Sequence, residues 1–354
     1  MTHEALGFTR IPDLDEAWGC VAHGAKLEAV RRLAPRVRDV VGRSGMPTSV
    51  RTYDLVTFPY PASYGFSGAV LIPLPLVFMR YRMQIVHTKV GGEPKVILVN
   101  PLDRDRSGEA PFFRKQRKFV GDFIAENVLS TRHLSIPDAL AAAGVRPAEV
   151  DYVVFDHLHT QDVRGLFGTF DGTPALLPNA KLLVQKDELR TFEWMHPLQE
   201  PWYVRDGIKG VDPDRFVVLE GDYLIGDGVA VVRTPGHTYG NHSIVLHTDE
   251  GLWTISENGI GPDAYAPECS EIPGVRMWAR FFGSEVVLNS NTKENTLDQY
   301  TSMVLEKLLS DPSRRRPEFP NHFSSSELVA HPLAPGIFPT FSHGAITHGA
   351  PPRG

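Results

Sequence analysis

The chain has 354 residues, 42% of them hydrophobic and 22% charged, with a formal net charge of -6. That composition suits one well-filled domain with additions, contains no apolar stretch long enough to cross a bilayer, and argues against a surface for duplex nucleic acid. The start of the chain lacks a basic, apolar signal sequence, and Cys20 and Cys269 are too few for a disulfide framework, so a cytoplasmic protein is expected.

Residues 1–50 read as an N-terminal helical extension. Residues 15–41 have helical spacing that gives Leu27, Val30, Leu33, Val37 and Val40 one face, interrupted by Pro35, and this face would pack on the domain or on a partner. Residues 51–330 read as the main domain. Within it, residues 58–66 and 71–76 are too apolar and proline-rich for an ordinary exposed loop and suggest a substrate rim or a subunit contact, hence an oligomer, either of one chain or with a different subunit. From Val77 the pattern alternates, with Met79, Tyr81, Met83 and Ile85 on one side and Arg80, Arg82 and Gln84 on the other, as in a half-exposed strand where the first sheet begins. The basic runs at 114–118 and 314–316 read as solvated faces. Ser135 caps a helix that Ala139 to Ala143 propagate and Gly144 ends. Residues 176–188 read as strand then helix, and residues 331–354 as a Pro/Gly/His-rich arm that is extended or disordered.

Two segments carry the chemistry. Residues 152–155, Tyr-Val-Val-Phe, form a buried strand, and His157 and His159 follow it two apart, so both rings project to one side. Residues 229–232 form a second apolar strand, after which Thr-Pro-Gly turns tightly and presents His237. Three imidazoles suit zinc, iron or manganese and leave a coordination place for water.

A strand ending in HxHxxD followed by a strand ending in TPGHTxGxxS resembles the metallo-β-lactamase superfamily, in particular its lactonase-like branch, over roughly residues 50–330. The resemblance implies an α/β fold, a four-layer αβ/βα sandwich of two mixed sheets flanked by helices. It also implies a metal-dependent hydrolase using metal-activated water, with one or two zinc ions, iron or manganese being alternatives. His157, His159 and His237 take the first ion. Where the family has an aspartate and a histidine for a second ion, this chain has Gln161 and Asp162, so the second site should be weaker; Asp162 would be a ligand or a group orienting water. Glu257 stands where the family has its bridging aspartate and would bridge or hold the water. The last family histidine falls on His322, with His331, His343 and His348 as alternatives. Phe192, Trp194, Met195, Trp202 and Tyr203, and Tyr265, Trp278, Phe281 and Phe282 after Glu257, point to a small apolar or aromatic substrate: an ester, a lactone or an activated aryl ether. Two other readings stand beside the hydrolase: a non-catalytic, metal-poor subunit of a hetero-oligomeric hydrolase, and a non-heme iron redox protein on the same ligands.

Overall fold

Runs of Val, Ile and Leu without polar alternation need cover on both faces of their sheet. The computed structural model, which describes residues 2–71 and 75–351, shows that cover. In the strand Lys181–Gln185, Leu183 enters a core shared by two sheets, while Leu182 and Val184 pack outward beside Leu140 and Leu166. Tyr152–Val154 divides the same way, Val154 inward and Val153 outward. On the opposing sheet, Val229 and Val231 enter the shared core. Ala230 and Val232 meet Val30, Leu33 and Val37 of the helix His23–Arg43 and Leu305 and Leu309 of the helix Thr296–Leu309. The result is four layers: helix, sheet, sheet, helix.

Among the described residues one sheet has six strands, ordered Thr9–Ile11, Asp222–Gly226, Val229–Arg233, His242–Thr248, Gly251–Ile255 and His322–Phe323; only its last pair is parallel. The other is built on Ser49–Pro61, Leu76–Val90 and Glu93–Val99, continued by Tyr152–Val154, Lys181–Gln185 and Phe216–Leu219 in parallel. The carboxyl ends of these parallel strands, where open α/β sheets place their ligands, lead into the first histidine loop.

Three expectations change and one open alternative closes. Pro35 does not end the N-terminal helix, which runs on to Arg43 because Val30, Leu33, Val37 and Val41 are buried; that packing outweighs one lost backbone bond, and Val41 takes the inward place expected of Val40. The sheet starts at Ser49 rather than near Val77. Pro59 and Pro61 are tolerated because the strand's outer edge there has no partner among the described residues, the short strands Thr131–Arg132 and Thr347–Gly349 covering only earlier positions. Arg82 and Gln84, expected on an exposed face, are buried: Arg82 pairs with Glu327, lies 3.8 Å over the Phe323 ring and donates to Gly344 O. Over residues 331–351 the C-terminal arm is extended chain in contact with the domain, one of the two states expected of it, with Ile346 in the central core. Of residues 71–76, those at 72–74 lie outside the described residues. No described helix is long and apolar enough to cross a membrane.

Candidate metal centre

Backbone geometry fixes both histidine loops before any side chain acts. Thr160 adopts a positive φ of 60° and donates its N–H to Trp202 O at 2.6 Å, turning the chain back just past His159. In the second loop Gly236 has φ 140°, and a Cβ there would come within 2.2 Å of Gln299 backbone, so only glycine lets the turn press against that helix. The loops are joined directly, His242 N donating to Asp156 O at 2.9 Å.

A buried carboxylate tightens that junction. Glu188, 1% exposed, accepts from Leu158 N at 2.7 Å, Tyr203 OH at 2.6 Å and Thr238 Oγ1 at 2.6 Å, so it holds one residue of each histidine loop. Gly240 passes against it, since a Cβ there would lie 2.2 Å from Glu188 N.

The loops bring His157, His159 and His237 together, all buried, with one ring nitrogen of each within 4.8 Å of the others. Hydrogen bonding decides which nitrogens remain free. His157 Nδ1 donates to Asp156 Oδ1 at 2.8 Å, leaving its Nε2 without a proton in the neutral ring. Gln199 donates its amide to His237 O at 2.9 Å, which orients its oxygen to accept from His159 Nε2. His159 Nδ1 is then free, and it faces His237 Nε2 at 3.2 Å. His237 Nδ1 has no protein partner among the described residues, so nothing fixes that ring's tautomer; with Nε2 unprotonated the two nitrogens would repel unless they shared a cation, and carboxylate or amide partners on the far side of imidazoles are the usual second layer of a metal site. Burial, and then the charge of His157, hold His159 and His237 well below the ordinary histidine range, in the neutral form that binds metal. For His157, burial acts downward but Asp156, with Glu257 and Glu188, carries it to about 9; the same field favours a cation at its free nitrogen. The donor set therefore fits a divalent metal ion.

Glu257 joins a second acidic group, Asp156, His157 and Glu257, whose ligand atoms also lie within 4.8 Å. Ser325 Oγ lies 2.8 Å from Glu257 Oε2 and 3.0 Å from Asp156 Oδ2. Loss of hydration raises the Glu257 carboxyl to about 7, against the pull of His157.

The other residues singled out in the sequence are placed differently. Asp162 is taken by Arg164, whose Nε and Nη2 reach its two oxygens at 2.9 and 2.6 Å, and it is in neither cluster. Gln161 lines the same cavity as the histidines and contacts Tyr81 OH at 3.3 Å. His322 is buried with Nδ1 2.9 Å from Thr254 Oγ1 and its ring stacked on Tyr265 at 3.7 Å, apart from both clusters. His343 packs on Trp253, His348 pairs with Asp249 and His331 stacks on Phe78. None of these four joins the three histidines. Asp156, Glu188 and Gln199 were missed; only Asp156, adjacent to the motif, left a sequence signal.

The histidines and Glu257 open into a cavity of about 1430 Å³. Its aromatic lining comes from Phe58, Tyr60, Tyr64, Tyr81, Phe112, Phe113, Phe119 and Trp202. Of the aromatics read as the metal mouth, only Trp202 is there: Phe192, Met195 and Tyr203 pack in the outer core, Tyr265 lies under His322, and Trp194, Phe281 and Phe282 face solvent elsewhere. The basic run at 114–118 belongs to the helix Pro111–Val120, where Arg114, Lys115 and Lys118 are exposed as expected of a solvated face, and it borders the cavity through Lys115, Arg117 and Lys118.

No family model matches the chain. An N-acyl homoserine lactonase of Bacillus sp is 31% identical over 134 residues, 37% of this chain and 48% of that protein. The N-acyl homoserine lactonase AttM of Rhizobium radiobacter is 33% identical over 119 residues, 31% of this chain and 40% of its own length. The chain thus spans about half the length, or less, of the curated relatives it matches. Among solved structures, AidC, a dizinc quorum-quenching lactonase, covers 83% of this chain and 94% of its own at TM-score 0.53 and 13% identity. A B. thuringiensis AiiA mutant with N-decanoyl-L-homoserine bound at its active site covers 80% and 94% at TM-score 0.52 and 16% identity, a likeness of fold. Two mixed sheets between helices, with the histidine loops at the strand ends, give the chain the metallo-β-lactamase fold, the likeness that these solved structures show.

Proposed function

We propose that the chain is a metal-dependent hydrolase acting on a small apolar or aromatic ester, lactone or activated aryl ether. The observation that carries this reading is the convergence of three buried imidazoles whose free nitrogens face one another. His157, His159 and His237 would hold the ion, with zinc best suited to three imidazoles. When bound, zinc lowers the pKa of water to about 7 and polarises a carbonyl. The chain supplies the rest: Glu257, its carboxyl near neutrality, accepts or holds the proton of the attacking water; Asp156 and Gln199 orient the rings; and the cavity walls keep bulk water from the bond being cleaved. The lactonase relatives support the hydrolytic class and the choice of lactone and ester substrates for a first screen. We also propose that the chain assembles into oligomers, a reading favoured by the exposed Met277, Phe281 and Phe282 on the helix Val275–Phe282.

The test is turnover of a panel of aryl esters, γ-lactones and nitroaryl methyl ethers by purified protein, before and after chelation and after return of zinc. Hydrolysis that is lost with chelation and restored by zinc is expected; hydrolysis indifferent to chelation, or none on any compound, would remove the reading.

A further inference from the structure

The cavity wall has more order than a merely apolar surface needs. Trp202 lies with its ring centroid 6.2 Å from that of His159, so it stands beside the metal ligands. Phe112, on the helix Pro111–Val120, stacks on it at 4.1 Å and 27°. Tyr64 meets Trp202 edge-on at 6.0 Å and Tyr60 lies 6.3 Å from it, Tyr60 OH being fixed by Asn289 Oδ1 at 2.7 Å. These four rings come from three separate segments, and Phe112 and Tyr64 are only partly buried, their surfaces turned to the cavity rather than consumed by the core.

We infer that this cluster is a specificity element for a planar aromatic group of the substrate, seated against Trp202 and Tyr64 beside the scissile bond, with Phe112 stacked on Trp202 to hold that ring in place. The inference rests on the hydrolase reading for the reaction but not for the binding. An alkyl chain of equal area gains the same burial. A flat ring also gains the stacked and edge-to-face geometry that these walls present, which amounts to about tenfold in affinity when one or two rings are engaged. Trp202 and Phe112 are thus positioning residues for the substrate, distinct from the histidines that would carry the ion.

Calorimetric binding of two matched probes decides it: naphthalene-2-carboxylate and its saturated counterpart, decahydronaphthalene-2-carboxylate, which share shape class and carboxylate but differ in aromaticity. The wild-type protein should bind the aromatic probe about tenfold more tightly, and Trp202→Leu should bring the ratio near one with metal content unchanged. Phe112→Leu, on a half-exposed helix, should lower the ratio severalfold without threatening the fold. Equal affinity for the two probes in the wild-type protein, or a ratio untouched by both substitutions, would overturn the inference. Because binding is read without turnover, a protein that discriminates the probes yet hydrolyses nothing would condemn the hydrolase reading and leave the aromatic site standing.

Discussion

Two sets of ligand-type side chains lie in this molecule, and they differ in what the protein itself has already claimed. In the first, His157, His159 and His237 each keep a ring nitrogen that no protein acceptor uses, and those nitrogens face one another. In the second, Asp162 gives both oxygens to Arg164, and His322 sits between Thr254 and the Tyr265 ring. A residue of the right type becomes a ligand only if hydrogen-bonding capacity is left over once its protein partners are counted. By that measure the first set is fitted to hold a metal ion and the second is committed to contacts within the protein.

The largest effect should follow from attacking the first set. His157→Ala or His237→Ala removes one of three imidazoles and should abolish both tightly bound ion and hydrolysis; unchanged metal content in both variants would mean the cluster holds no ion. Next comes Glu257→Gln, which should lower turnover by about two orders of magnitude, as when a positioned proton acceptor is lost. Thermal stability should change little, because burial already favours the uncharged carboxyl. Wild-type rates in this variant would move the proton acceptor elsewhere.

Below these stands Glu188→Ala, which strands three buried donors from two loops and should cost about 3 kcal/mol in denaturant unfolding. A shift under about 0.5 kcal/mol would show that the loops are held by other means. The smallest effect belongs to the second set: Asp162→Asn should leave ion content and substrate KM as they are, with a modest loss of stability from the weakened contact to Arg164. Loss of an ion in this variant would erase the distinction between the two sets.

Much of the fold was legible because its signals are local. Both faces of the inner strands are covered, so Tyr152–Val154 and Val229–Arg233 stand out as unbroken apolar runs, and His157, His159 and His237 follow them at spacings that backbone geometry alone converts into convergence. The fate of Arg82 was not legible, since its partners Ser324 and Glu327 come some 240 residues later. Glu188 and Gln199 escaped for a like reason: each acts through partners on both histidine loops, contacts that only the tertiary structure creates. Part of the cavity wall was legible, since residues 58–66 read as a substrate rim and Phe58, Tyr60 and Tyr64 line the cavity; Phe112, from an earlier helix, escaped because the remaining aromatics were sought near the motifs. Asp162 misled differently: its motif position suggested a ligand, while Arg164, two residues on, was free to capture it.

The central claim is that three imidazoles left unclaimed by the protein form a metal centre, and elemental mass spectrometry of the purified full chain, wild type beside His237→Ala, tests it most directly. The account predicts about one zinc or more per wild-type chain surviving dialysis, and none in the variant. A wild-type protein that retains no divalent ion after zinc loading and dialysis, or a variant that retains as much as the wild type, would contradict it.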